Sequence, residues 1–177
     1  MNFEIEIIKF FQNGQTPFFD LLFYFFSFFA SILGVIMIGL FFYLFKSKKF
    51  ALFFVLCSFV NVFFNYFLKI LINRPRPYEI SNVLNLNQAI GKSFPSGHMV
   101  SATTISFFVI YFICTKYKSK QTIFASIILA CLYLSGVAIS RMYFGQHYLT
   151  DLIAGLFLGG MLSILQISLV IYKKIKC

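Results

Sequence analysis

Hydrophobic and polar positions along this chain fall in blocks, not in an alternating pattern. Apolar runs occupy residues 18–45, 50–72, 97–115, 121–140 and 148–172, with polar segments between them. Runs near or above the roughly 20 residues that cross a bilayer predict five spanning helices. The first, Phe18–Phe45, is longer than a crossing needs, so tilt or extra helix outside the lipid is expected. The stretch Asn73–Phe94 is polar and carries Pro75 and Pro77. It cannot lie in lipid as irregular backbone, because unpaired peptide groups are too costly there. Residues 1–13 differ again. Phe3 to Phe11 is too short to cross and is interrupted by Glu4, Glu6 and Lys9; Asn13, Gly14 and Pro17 then break the chain. A helix lying at the interface is expected there, with its turn ending at 17. A signal peptide is the alternative, but the stretch has neither a basic start nor a small-residue cleavage site. The fold class expected is all-α: a polytopic membrane helical bundle of five transmembrane helices plus an N-terminal interfacial helix, one domain over 1–177.

Composition narrows the class further. The chain is 60% hydrophobic and 11% charged, against about 25% charged in ordinary globular domains. That excludes a disordered chain, a soluble nucleic-acid-binding domain and a disulfide-stapled secreted module. The net charge of +10 is better read as topology than as affinity for nucleic acid. Lys46, Lys48 and Lys49, then Lys116, Lys118 and Lys120, then Lys173, Lys174 and Lys176 flank apolar runs, as the positive-inside rule describes. Five spans put all three clusters on the cytoplasmic side. The 73–94 loop and the 141–147 turn then share the outer side. Lys9, Lys69, Arg74, Arg76, Lys92 and Arg141 remain away from the cytoplasmic face and need another reason to be there. Cys57, Cys114 and Cys131 lie inside apolar runs and Cys177 ends the sequence; no pair has metal-ligand spacing, so they read as packing residues.

The scarce chemistry gathers beside the two outer loops. Ionisable groups at one membrane face are a functional-site hypothesis by default. Lys69 stands near the end of the second run, followed by Arg74-Pro75-Arg76-Pro77. A point charge and planar forks both suit phosphate oxygens; a snorkelling lysine and a head-group contact explain this piece equally well. Pro95-Ser96-Gly97-His98 opens the third run. Ser96 is a natural N-cap, Gly97 lets a ligand approach the backbone, and free amides at a helix start favour an anion. The plainer reading is a capped helix with an interfacial histidine. Ser140-Arg141 is followed by His147 and Asp151, spaced i, i+4 on one face if the turn is helical. A carboxylate holding one imidazole nitrogen leaves the other as nucleophile or base. A mere helix-start Asp is the competing reading, but an unpaired Asp at the head of a lipid span is expensive.

Together the pieces read K-x6-R-P at 69–77, P-S-G-H at 95–98 and S-R-x5-H-x3-D at 140–151. In order and spacing this resembles the type 2 phosphatidic acid phosphatase family, membrane relatives of the vanadium haloperoxidases. The resemblance implies that His147 is a nucleophile forming a phosphohistidine and that Asp151 orients it. It implies that His98 protonates the leaving oxygen and then activates water. Lys69, Arg76, Ser96, Gly97 and Arg141 would cradle the phosphate. Arg74 is outside the family pattern: a second contact to a pyrophosphate or head group, or loop charge. The family's six-helix core departs from the five spans counted here. Gly155, Gly159 and Gly160 in the last run suit either close helix packing or a lipid groove.

The expected function is metal-independent hydrolysis of a terminal phosphate from a lipid phosphate or pyrophosphate at the outer face of the cell membrane. The chain lacks the clustered carboxylates that Mg²⁺ binding needs, so no metal and no cofactor is expected. The expected partners are that substrate and the bilayer, with no nucleic acid; the sequence assigns no oligomeric state. Undecaprenyl pyrophosphate is a mild favourite, on resemblance alone. A phosphotransferase would use the same residues with another acceptor. A haloperoxidase would share the anion site but has a soluble helical bundle. A lipid transporter or scaffold would keep the cations without needing His98, His147 and Asp151.

Overall fold

A computed structural model of the chain describes residues 2–117 and 119–176, without the side chains of Asn2 and 173–176. Lys118 and Cys177 lie outside the described residues. Among the described residues eight helices follow in order: α1 Asn2–Asn13, α2 Pro17–Phe29, α3 Ile32–Phe45, α4 Lys48–Ile72, the single turn α5 Pro77–Ile80, α6 Gly97–Lys116, α7 Lys120–Tyr143 and α8 Leu149–Lys176. Helices α4, α6, α7 and α8 are long and apolar enough to cross a membrane. The predicted spans agree with them to within a few residues.

The first span departs from expectation. Its apolar run is split into α2 and α3, bent by 58° at the break. No proline marks it. The Ser31 hydroxyl donates to the Phe28 carbonyl at 2.6 Å instead of capping α3. Beyond the break the chain doubles so closely that a Cβ on Gly34 would lie 2.1 Å from the Phe29 carbonyl oxygen. Only glycine admits that approach. The excess length, expected as tilt or as extra helix outside the lipid, is taken up in a bend, and the pair α2–α3 makes a fifth crossing if it is one broken span.

The 73–96 loop returns to the end of α4, where Asn65 and Lys69 bond to it, and the connections after α6 and α7 are short, so α4, α6, α7 and α8 alternate in direction. The end of α4, the start of α6, the end of α7 and the start of α8 therefore meet at one end of the bundle. The lysine-rich turns gather at the other, where Lys46 Nζ donates to Thr115 Oγ1 at 3.0 Å. Among the described residues three hydrophobic clusters fill the bundle, the smallest being Phe23, Tyr143 and Phe144. Phe42, Phe50, Phe54, Phe108 and Phe112 interlock at the lysine end. Ile8, Val83, Met99, Ala102, Val137, Met142, Tyr148 and Leu152 form the core under the opposite end. Asn61 Nδ2 donates to Thr104 Oγ1 and Gln166 Nε2 to Asn61 Oδ1, each at 2.8 Å, so polar bonds link α4, α6 and α8 mid-bundle.

The last span's glycines divide between two surroundings, and close packing is seen at two of them. A Cβ on Gly155 would lie 2.7 Å from the Ser96 carbonyl, and one on Gly159 2.8 Å from that of Val100. Those two let α8 pack backbone-close against α6. Gly160 faces Phe107 with ordinary clearance and lines an apolar groove of about 450 Å³ with Leu156, Phe157 and Ile164.

Helix α1 is present as expected, but one of its faces docks on protein. Ile8 is fully buried in the core beneath the site end, with Ile5, Ile7 and Phe11 against it, while Phe3 and Phe10 are exposed. Gln12 clamps the neighbouring loops: its Nε2 donates to the carbonyls of Leu84 and Tyr143, and its Oε1 accepts from the Leu84 amide.

Candidate active site

Every residue singled out by the three motifs lies at the end of the bundle away from the lysine turns, and cross-links join the motifs. The Ser96 amide donates to the Asp151 carbonyl at 3.1 Å. Arg76 Nη1 donates to the Gln146 carbonyl at 3.2 Å. Lys69 Nζ donates to the carbonyls of Lys92 at 2.7 Å and Ser93 at 3.3 Å. Asn65, one turn before Lys69 on α4, donates to the Pro95 carbonyl at 3.1 Å. Its Oδ1 would stand 3.2 Å from a Cβ at Gly97, so glycine lets these two elements close together.

The acid–imidazole pair sits where α8 begins. His147 precedes the helix and Asp151 lies in its first turn, both buried, Asp151 fully. Nδ1 of His147 is 3.4 Å from Asp151 Oδ2 and not aligned as a hydrogen bond. Such pairs often stay long until substrate arrives. The Tyr148 amide donates to Oδ2 at 3.0 Å and Arg74 to Oδ1 at 2.6 Å, so the carboxylate is held on both oxygens. Burial pushes the His147 imidazole down to about 4; Arg76 and Lys69 push the same way, and the neighbouring Asp151 carboxylate opposes them. The imidazole is neutral at neutral pH, with a lone pair available. His98, at the start of α6, lies within electrostatic reach of Arg141, His147, Arg76 and Lys69. The two imidazoles thus belong to one cluster.

Arg141 is fully buried. It donates to Ser27 of α2, to Gln146 Oε1 at 2.9 Å and to Ser140 Oγ at 3.3 Å. Arg76 donates to the carbonyls of Gly91 at 2.8 Å and Ile90 at 2.9 Å as well as to Gln146. Among the described residues no carboxylate lies within ion-pair distance of Lys69, Arg76 or Arg141. Desolvating a guanidinium costs several kcal/mol. Hydrogen bonds to charged groups return about 1.5–3 kcal/mol each. Neutral oxygens can therefore hold these cations in place, but they leave the net charge for an anion to neutralise.

Ser96 occupies the N-cap position of α6, yet its side chain makes no capping bond. Its Oγ is buried with no hydrogen-bond partner. The first helical amide to bond back is Val100, to the Ser96 carbonyl, and the amides before it have no partner within the helix. The expected cap is thus a free hydroxyl beside free amides, a better anion contact than the sequence alone offered.

Ser27, Asn65 and Gln146 were not singled out from the sequence. Asn65 left a signal, a polar residue one turn from Lys69 in an apolar run; Ser27 left none. Among the described residues no three His, Cys, Asp or Glu side chains come together as metal ligands would.

Two cavities adjoin the cluster. One of about 510 Å³ is lined by Tyr66, Lys69, Arg76 and Lys92 among others. The other, about 400 Å³, runs from Ser31 and Leu33 at the α2–α3 break, past Asn65, to Gly97 and His98.

The fold and the cluster define a polytopic helical membrane protein with cations and imidazoles assembled at one end. The PAP2 superfamily profile matches residues 50–175, and the chain belongs to that superfamily. Phosphatidylglycerophosphatase B of Bacillus subtilis (strain 168) is 31% identical over 145 residues, covering 78% of this chain and 66% of that protein. This chain thus spans just under two thirds of that relative's length. Lipid A 4'-phosphatase of Bacteroides thetaiotaomicron is 28% identical over 173 residues, 89% of this chain and 72% of that protein. The crystal structure of a transmembrane PAP2-type phosphatidylglycerolphosphate phosphatase from Bacillus subtilis matches with a TM-score of 0.82 at 23% identity, over 95% of this chain and 84% of that one. That likeness establishes a shared fold.

Proposed function

We propose that this chain is a membrane lipid phosphatase that removes the terminal phosphate of a lipid phosphate or pyrophosphate through a phosphohistidine on His147. The observation that carries the reading is a buried imidazole, His147, backed by Asp151 and within the electrostatic reach of Lys69 and Arg76, with Arg141 acting on its neighbour His98; none of the three cations is paired with a carboxylate among the described residues. The relatives named as phosphatidylglycerophosphatase and lipid A phosphatase support it.

The steps follow from the geometry. Nδ1 of His147 faces Asp151, which leaves Nε2 for phosphorus. As Nε2 bonds to phosphorus, the bond to the lipid oxygen breaks, and His98 gives that oxygen a proton. Charge on the transferring group spreads over three equatorial oxygens. Lys69, Arg76, Arg141, the Ser96 hydroxyl and the amides from Gly97 onward are the donors for them. Neutral His98 then takes a proton from water, which attacks the phosphohistidine and releases inorganic phosphate. These donors need no divalent metal. The groove from the α2–α3 break to His98 gives a lipid tail a way to stay in the bilayer while its head reaches the site. With the lysine turns cytoplasmic, the site faces outward from the cell membrane. Residues 1–177 act as one unit, and a polyprenyl pyrophosphate is the preferred substrate class.

A phosphate-release panel over defined lipid phosphates, run with EDTA beside His147→Ala, tests the reading. Release that survives EDTA and disappears in the variant is expected. Release abolished by EDTA and restored by Mg²⁺, or intact in His147→Ala, contradicts it.

A further inference from the structure

Arg74 lies outside the three motifs, and the sequence alone allows either a substrate contact or loop charge. Its bonds run the other way. Nη1 donates to Asp151 Oδ1 at 2.6 Å and to Thr150 Oγ1 at 2.7 Å. Nη2 donates to Glu4 Oε2 of α1 at 3.3 Å. The guanidinium carbon stands 4.0 Å from the centre of the Tyr148 ring, a cation–π contact. Glu4 closes the circuit: its Oε1 accepts from the Thr150 amide at 2.9 Å and the Thr150 hydroxyl at 2.8 Å.

We propose that Arg74 is a positioning residue: clamped by Glu4 of the N-terminal helix, it fixes Asp151 Oδ1 so that Oδ2 is left facing His147 Nδ1. The side chain of Asp151 is fully buried, and Arg74 is its one arginine or lysine partner within ion-pair distance among the described residues. A carboxylate with one oxygen pinned by a fork cannot rotate away from the imidazole. Thr150 and Tyr148, the neighbours of Asp151, hold the same guanidinium, so the start of α8 is set as a unit. The fork is spent on α1 and α8 and does not need the phosphate. Helix α1, docked through Ile8, thereby bears on the nucleophile at one remove. The inference rests on the proposed roles of His147 and Asp151.

The test uses the full chain in detergent micelles with farnesyl phosphate and farnesyl pyrophosphate as paired probes, and rates normalised to folded protein. Arg74→Ala is expected to lower kcat about 100-fold for both probes, with KM within about threefold. Arg74→Lys should recover part of that loss, and millimolar guanidinium ion should partly restore Arg74→Ala. Glu4→Gln should lower kcat by roughly three- to tenfold, since it removes the clamp and leaves the fork; it decides the matter if Arg74→Ala does not fold. Unchanged kcat in folded Arg74→Ala, or in Glu4→Gln when the former does not fold, overturns the inference. A KM rise confined to the pyrophosphate overturns it too, because that marks a substrate contact. His147→Ala is run alongside: if it retains turnover, the nucleophile reading falls and takes this inference with it. If it is inactive while Arg74→Ala keeps wild-type kcat, this inference falls alone.

Discussion

The amide of Ser96 donates to the backbone carbonyl of Asp151 at 3.1 Å, so the start of α6 and the start of α8 are joined chain to chain. One bond links the segment bearing His98 to the segment bearing His147. Gly155, one turn beyond Asp151 on α8, makes this possible, since a Cβ there would lie 2.7 Å from the Ser96 carbonyl and 2.9 Å from Met99 Cβ. Gly155→Ala should force the helices apart and cost about 1–3 kcal/mol of stability, with kcat falling at least tenfold. Thermal unfolding in detergent, read beside kcat, checks both effects. Gly160→Ala, with its nearest neighbour at 3.7 Å, should change neither appreciably.

Ser96 offers a separation of stability from activity. A true N-cap hydroxyl replaced by alanine costs about 1 kcal/mol. Here the Oγ is buried without a partner and caps nothing. Ser96→Ala should therefore leave the unfolding midpoint nearly unchanged while turnover drops roughly tenfold. A clear loss of stability with normal kcat would return Ser96 to a capping role.

Arg141 should not tolerate lysine. Its fork spans Ser27, Ser140 and Gln146, three directions that an ammonium on a flexible stem does not reproduce. Arg141→Lys should lower kcat by about 10²–10³. Ser27→Ala, which removes the α2 end of the network, should have a smaller effect of the same sign. Steady-state phosphate release on the two variants tests the ordering.

The imidazole of His147 should titrate low. With burial setting it at about 4, NMR of ring-labelled protein, with His98→Ala to assign the signals, should show half-protonation near that value. An ordinary value near 6.5 would mean that the site is wetter than described here. The sign for stability follows. Between pH 6.5 and 4 the unfolded chain binds a proton that the folded chain does not, so acidification through that window destabilises the fold.

What the sequence made legible follows from scarcity. In a chain where apolar residues fill every span, Lys69, His98, Arg141, His147 and Asp151 stand out individually, and alternating helix direction gathers them at one end. The bend at Ala30–Ser31 was hidden because no residue there breaks a helix on its own; the tight approach of Gly34 to Phe29 is a tertiary fact. The docking of α1 was hidden for a related reason. Glu4 and Gln12 look like the polar face of an interfacial helix, and their partners Arg74, Leu84, Tyr143 and Thr150 are far away in sequence. Ser96 was legible as a residue with two readings, cap and phosphate contact, since a cap and an unpaired hydroxyl have the same letter; only the side-chain cap bond is missing. Arg74 was legible as a charge, but its direction depends on where α8 begins.

The most direct measurement is capture of the covalent intermediate. Rapid acid-free quenching of the enzyme with a lipid phosphate labelled on its terminal phosphorus, followed by digestion and mass spectrometry, reads the site of attachment. A phosphoryl group on His147, absent from His147→Ala and persisting longer in His98→Ala, is the predicted result. A label on any other residue, or full turnover by His147→Ala, would contradict it.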